Sequence, residues 1–477
     1  MLREHYSTDK LFEEIVRYLP KMESSLAKID HYLEDEKLYR LIWKDLSKRW
    51  PKTLQTGRSS TPVEVVLRML VVKRLYEYSY EETEKTVSDS LVLRQFCRVY
   101  LKRVPDDTTL LRWANLIQPK TLEKFNERIT QLAVEHKVTK GRKLRTDGTL
   151  VETNIHAPSD SRQLADSVRV LARTILRART VLSAHLSAQA EAGLKAVHQK
   201  VDAQFQNFTD LARQTARQIG ETLSQRTEAA RAAGRQKYQE LLEMTEKTVA
   251  WATQTQAQLK GQTQRQAKRL TQTLATFVPR AQQVMDQTVR RVSQGEQVPA
   301  REKIVSIFEP HTDIICRGKE SRPVEYGHKA CLGRQVWLNE VDGGIISHYR
   351  ILNGNPHDEL QWKPSLKAHL ATFQQPPGQA SADRGVSSEL NENFAHDLGV
   401  QRVILPKPGY RSKQRYKHEH QAWFVKGRKW HAGVEGRISV LKRAHGLGRC
   451  LAHGFRGFQC WVGWGVIAGN LAVIGRT

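Results

Sequence analysis

The sequence predicts an α/β protein: a mixed sheet covered by helices, preceded by an all-helical N-terminal domain and split after its first strand by a long helical insertion. Three observations carry this. Before position 140 the apolar residues recur with helical spacing and follow helix-start signals. Alternating, β-branched segments open at 143 and return after 301, the later ones interleaved with helix patterns. Between them lies a stretch rich in Gln, Ala, Thr and Arg with no proline between Pro158 and Pro279. The expected domains are 1–140, then 141–164 with 301–477, and 165–300 as the insertion.

In chain order, Thr61-Pro62 reads as an N-cap with proline at the first helical position, and VEVVLRMLVVKRLYEY follows. Ser79 and Glu82 have capping-box spacing and open a second helix. Pro105-Asp106-Asp107-Thr108 introduces a third, TLLRWANLI. Short helices with polar turns suit a helix-turn-helix-like DNA-binding module, or else a helical packing domain. KLRTDGTLVETNIH then reads as a strand or, at Asp147-Gly148, a hairpin. The insertion favours long helices in a hairpin or small bundle outside the sheet. Its apolar residues look too few for a large core of its own, and its polarity also allows partial disorder or a solvated arm.

After 301 the order is strand, turn at Asp342-Gly343-Gly344, strand, helix (358–373), short strand (378–385), helix (387–400), strand (401–408) and a terminal helical region. The apolar run Trp461 to Ile474 is shorter than the ~20 residues a bilayer needs and is interrupted by Gly463, Gly465, Gly469 and Asn470. It reads as a buried helix.

Composition narrows the function class. In 477 residues, 76 Lys and Arg face 50 Asp and Glu, a formal +26 that points to a polyanionic partner, nucleic acid before a membrane surface. Five cysteines (97, 316, 331, 450, 460) form no CxxC pair, which argues against a disulfide framework or a cysteine zinc site and for a reducing cytoplasm. The N-terminal residues carry no signal-peptide pattern. Residues 401–477 hold 15 Lys and Arg against Glu419 and Glu435 alone, a net +13. Lys413, Arg415, Lys426, Arg428, Lys429, Arg437, Lys442 and Arg443 are the expected DNA contacts. Tyr410, Tyr416, Trp423, Phe424 and Trp430 lie among them and could stack on bases.

Against that charge, three acids stand out. Asp147 and Asp383 sit where strands end, and Glu435 sits in a helical segment with Lys442 two turns on. Carboxylates are the hard oxygen ligands that Mg²⁺ takes, and two such ions can clamp a scissile phosphate. Each acid also has a plainer reading: Asp147 a turn, Asp383 a loop ion pair, Glu435 a salt-bridge partner. Asp342 reads as a turn residue, and Asp160, Asp313, Asp358 and Asp397 as caps, loop or surface charges.

The blocks TDGTLVETNIHAPSDS, EYGHK, ILNGNPHDE, ASADRGVSSELN, VILPKPG and GVEGRISVLKR, in this order, resemble the bacterial insertion-sequence transposases of the DDE class, particularly the ISNCY-like group. Residues 61–99 with PDDTTLLRW are similar to the helical domain that precedes their core. The resemblance implies a ribonuclease-H-like core with Asp147, Asp383 and Glu435 as catalytic and metal-holding acids, and two Mg²⁺ (or Mn²⁺) ions per site. It also implies binding to double-stranded element ends and target, and a homodimer or larger synaptic complex. A related group has a lysine after six residues beyond the glutamate, as Lys442 is here. Its arginine and tyrosine positions are His431 and Arg428 in this chain. Two other readings stay open: a ribonuclease-H-like nuclease that cleaves without joining, and an inactive transposase-derived DNA-binding protein.

Overall fold

The computed structural model describes residues 1–18, 21–50, 52–156, 158–183, 188–315 and 331–477, the side chains of 183, 188–204 and 331 excepted. The EYGHK block, the first residues of the strand expected at 327 and Cys316 lie outside the described residues. The chain forms two compact units, Met1–Asn154 with Gly333–Thr477, and Ile155–Leu332.

Among the described residues the first unit opens with eight helices: α1 (Lys10–Arg17), α2 (Ser24–Tyr32), α3 (Glu36–Leu46), α4 (Val63–Leu75), α5 (Tyr80–Asp89), α6 (Leu91–Phe96), α7 (Asp107–Ala114) and α8 (Pro119–Glu135). The expected capping box is formed at α5, where Glu82 N donates to Ser79 Oγ (3.0 Å) and Ser79 N to Glu82 Oε2 (2.7 Å). At α7 Thr109 N donates to Asp106 Oδ1 at 2.7 Å. α4 starts one residue later than expected, with Pro62 rather than Thr61 at the cap and no side-chain cap bond. It is buried nearly all round and carries the fully buried Arg68, whose charge is met by Asp30 and Glu64. Strand β1 (Lys143–Glu152) follows as one unbroken strand. Asp147 lies opposite Leu338 and Gly148 opposite Trp337 in its ladder, so Asp147-Gly148 is strand interior, not a hairpin turn.

The second unit holds α9 (Asp160–Ser183), α10 (Ala188–Ser224), α11 (Glu228–Leu259) and α12 (Arg265–Thr288), packed on one another, and the short β2 (Asp313–Ile315). The expectation that this segment lacks apolar residues for a core is corrected. One buried cluster gathers Leu171, Ile175, Ala252 and Leu274, and another Leu164, Leu241, Val284 and Ile307. Small buried residues such as Ala172, Ala178, Ala212 and Ala267 allow close helix approach, so few large side chains suffice. Asp160, expected as a cap or surface charge, accepts from Gln287 Nε2 (3.0 Å) and pairs with Arg291 (2.7 Å).

The first unit resumes at Gly333, within β3 (Cys331–Val341), and continues with β4 (Ile346–Ile351), α13 (Trp362–Phe373), β5 (Gln379–Ser381), α14 (Glu389–Asp397), β6 (Arg402–Ile404), α15 (Lys413–Glu419), α16 (Ala422–Ala444) and α17 (Gly454–Arg476). Within this unit the strand order is β4-β3-β1-β5-β6. β3 is antiparallel to both β1 and β4, whereas β1, β5 and β6 run parallel. The β3–β4 turn is built as the sequence predicts. Asp342 accepts from the backbone N–H of Lys140 (2.9 Å) and Lys143 (3.0 Å), and Gly343 and Gly344 take φ of 83° and 78°. A Cβ on Gly343 would lie 2.2 Å from Val138 O.

α17 is long and apolar enough to cross a membrane, but it packs against α2, α4, α8 and β4 inside the fold. Its polar interruption has a structural task. Asn470 takes the β4 backbone N–H of Ile346 at 2.8 Å, donates to Ile346 O at 2.9 Å and reaches Asn126 of α8 at 2.9 Å. The side chain thereby serves buried backbone groups of β4, sharing Ile346 O with Asn126 Nδ2, which donates to it at 3.0 Å. One apolar cluster runs from Leu38, Val66 and Phe125 in the N-terminal helices to Trp337, Leu366 and Ile467.

Candidate active site

Successive side chains on a strand alternate between faces, so Arg145 and Asp147 of β1 share one face while Leu144, Thr146 and Gly148 share the other. The two faces meet different helices. Thr146 Oγ1 approaches Ser365 Oγ of α13 at 3.4 Å. Arg145 instead donates to Trp430 O of α16 and forks onto buried Glu340 of β3, with its guanidinium 4.8 Å from the Trp430 ring centre. This interaction seats α16 on the face that carries Asp147. Gly433 keeps the seat close, since a Cβ there would lie 2.4 Å from Arg145 Nη1.

Asp383 lies two residues past the end of β5. β5 pairs in parallel with β1 at Leu144↔Ala380 and Arg145↔Ser381, so the register carried two residues on sets Asp147 level with Asp383. β5 ends as a strand at Ser381 while β1 continues to Glu152, and the two carboxylates stand where the parallel strands part. Ligands of open α/β sheets gather at such carboxyl ends. Burial pushes the Asp147 carboxyl up to about 6, and the neighbouring Asp383 charge adds to the rise; the Gly148 N–H, 2.7 Å from Oδ1, opposes it. Asp383 moves the other way. The hydrogen bond from His431 Nε2 (3.0 Å) holds its carboxyl below the usual range. His431 itself sits on the buried face of α16, with Nδ1 3.3 Å from Ser381 Oγ.

Glu435 lies one turn beyond His431 on α16, about 6 Å along the axis, and is exposed. Among the described residues it forms no hydrogen bond or ion pair, so the salt-bridge reading finds no partner here. The structure thus brings Asp147 and Asp383 together and leaves Glu435 on the adjoining helix without contact to either. Among the described residues no group of three or more His, Cys, Asp or Glu is spaced to hold a metal ion.

The carboxylate that sequence reasoning missed is Asp358. It heads the turn Asp358–Gln361 before α13, and its charge contributes to the raised Asp147. Oδ1 accepts from Gln335 Nε2 of β3 at 3.1 Å, and Oδ2 lies 3.4 Å from where Gly385 would carry a Cβ. The one signal for it in the sequence was its place in the block ILNGNPHDE.

The basic C-terminal residues divide in two. Lys413, Lys426, Arg428, Lys429 and Arg443 are exposed, and Lys442 is half-buried. Arg415 and Arg437 belong to the fold rather than to an open surface. Arg415 pairs with Glu392 (2.6 Å) and with buried Glu419 (2.8 Å). Arg437 turns inward toward Asn470, and desolvation lowers its guanidinium to about 10. Among the aromatics Phe424 is fully buried, Trp423 and Trp430 are half-buried, and Tyr410 is open. Tyr416 stacks on His420 with centroids 3.9 Å apart.

No curated protein and no solved structure matches the chain. Residues 13–116 match the family model of a transposase domain (DUF772), a span that ends before β1 and so touches none of the acids above. That match supports a transposase family for this chain.

Proposed function

We propose that the protein is a DDE-class DNA transposase of the ISNCY-like kind, built on a ribonuclease-H-like core, that binds terminal inverted repeats, cuts at the element ends and joins the freed 3′-OH to target DNA. The observation that carries the reading is the pairing of Asp147, within β1, with Asp383, just past the end of the parallel β5, beneath a basic helix that bears Glu435. The strand order β4-β3-β1-β5-β6, with an antiparallel first half and a parallel second, supports the ribonuclease-H-like assignment. The transposase-domain match in residues 13–116 supports the family.

The two aspartates are of the kind that Mg²⁺ or Mn²⁺ takes, while Glu435 would have to approach from α16 to complete the set. Two hard carboxylates stand side by side, and the one driven up to about 6 is the one a cation would relieve. In this reading Asp147 and Asp383 are the inner ligands and Glu435 the third, for two ions per site. Bound metal would supply charge neutralisation and an activated oxygen nucleophile. The protein's own residues position the rest. Arg145, braced by Glu340, holds α16 against the face of β1 that carries Asp147. Lys426, Arg428 and Lys429 along α16, with Lys413, Lys442 and Arg443, take backbone phosphates and fix the duplex in line. No covalent protein nucleophile is needed. Joining two ends in one event calls for a homodimer or larger synaptic complex, working in the cytoplasm at the nucleoid.

Strand transfer with pre-cut terminal-repeat duplexes and Mg²⁺ or Mn²⁺ tests the reading. Joined product is expected; nicking of uncut ends with no joining of pre-cut ones would identify a nuclease, and binding with neither would identify an inactive derivative.

A further inference from the structure

We propose that His431 is a positioning residue that, with Ser381 behind it, holds the Asp383 carboxylate in the orientation required to receive a divalent cation. The inference rests on the metal-site reading above and adds a residue to it. A carboxylate only accepts, so the 3.0 Å contact between His431 Nε2 and Asp383 Oδ1 places the ring proton on Nε2. The other ring nitrogen, Nδ1, faces Ser381 Oγ at 3.3 Å. Ser381 Oγ backs the ring from the strand side, lying also 3.4 Å from Leu144 O, and the imidazole donates onward to the carboxylate. Both supports are rigid. Ser381 is the last residue of β5 and fully buried, and His431 lies on the face of α16 packed against the sheet. Asp383 by contrast is two-thirds exposed and follows the end of its strand, so its own backbone does little to fix the side chain. With Oδ1 held by the imidazole, Oδ2 is the oxygen left for a cation. Outer partners of this kind orient ligands, and their loss costs about 10–100-fold in metal affinity.

The test uses the full chain without DNA and reads Mn²⁺ binding by electron paramagnetic resonance, with a thermal melt of each variant. His431→Ala is expected to weaken Mn²⁺ binding about 10–100-fold. His431→Gln, whose amide N–H reaches to a similar distance, is expected to recover most of that loss; a merely structural role for the ring would show no such rescue. Ser381→Ala, a small change that spares the helix packing, is expected to give a partial loss and serves if His431→Ala fails to fold. Wild-type affinity in His431→Ala, alongside a large loss in Asp383→Asn, overturns this inference alone. Unchanged binding in Asp383→Asn overturns the metal-site reading and this inference with it.

Discussion

Replacing Asp147 by Asn should make the metal-free protein more stable at neutral pH, although it removes a residue proposed as essential. Burial and the Asp383 charge raise the Asp147 carboxyl from 3.8 to about 6. In the pH interval between those values the folded state holds a proton that the unfolded state has lost, so stability falls as pH rises from about 4 to about 6 and is level above. A shift of about 2 units at ~1.36 kcal/mol each gives at most about 3 kcal/mol of destabilisation at pH 8. Asn carries no charge and should escape most of it. For a unit of about 300 residues with an unfolding entropy of ~2.1 cal/mol/K per residue, the gain corresponds to roughly 4 °C in Tm. The assay is thermal unfolding of wild type and Asp147→Asn at pH 4 and pH 8 in chelator. The variant should gain at pH 8 and show little difference at pH 4. Excess Mg²⁺ should raise the wild-type Tm and narrow the gap, since a ligand that binds only the folded state stabilises it. A variant no more stable than wild type at pH 8, or a gain equal at both pH values, would refute the electrostatic account of this site.

Two further predictions concern charge and turn chemistry. Affinity for end DNA should fall steeply with salt. Changing Lys426, Arg428 and Lys429 together to Ala should reduce the log–log slope by about 2–3, measured by fluorescence anisotropy over a salt series. Arg415→Ala should leave that slope nearly unchanged and instead cost roughly 3 kcal/mol in a urea melt, because buried Glu419 loses its closest ion-pair partner. Asp342→Ala should cost about 1–3 kcal/mol in the same melt, from two lost acceptors for backbone N–H groups, with metal-dependent nicking per folded molecule unchanged.

What could be read from the sequence was what depends on near neighbours. Ser79 with Glu82, Asp106 before α7 and the positive-φ glycines of Asp342-Gly343-Gly344 are local devices that form as their spacing says, although the Asp342 carboxylate itself is met by Lys140 and Lys143 from far along the chain. Asp147 was legible as a candidate, yet Asp-Gly fits a turn as readily as a strand. Only the ladder with β3, nearly two hundred residues on, decides for the strand. Asp358 was missed for the same reason: nothing local says that a turn before α13 returns to the neighbourhood of Asp147. Charge density misled for Arg415 and Arg437. Their settings, Glu392 and Glu419 for one and Asn470 for the other, are supplied by the fold, and a basic side chain with a buried partner looks in sequence like one that meets phosphate. Phe424 was counted among exposed aromatics because periodicity does not say which helix face is buried. The insertion's core was underestimated because alanine pairs close helices with little apolar area to advertise them.

The most direct measurement of the central claim is metal-dependent nicking and joining of a terminal-repeat duplex by Asp147→Asn, Asp383→Asn and Glu435→Gln, with Asp342→Asn as control. Each of the three should fold and still bind end DNA, while cleavage and joining fall together by orders of magnitude, since both steps draw on the same metals. Asp342→Asn should keep its chemistry. Full activity in Glu435→Gln, whose carboxylate stands apart from the two aspartates, or loss of chemistry in Asp342→Asn alone, would contradict the assignment.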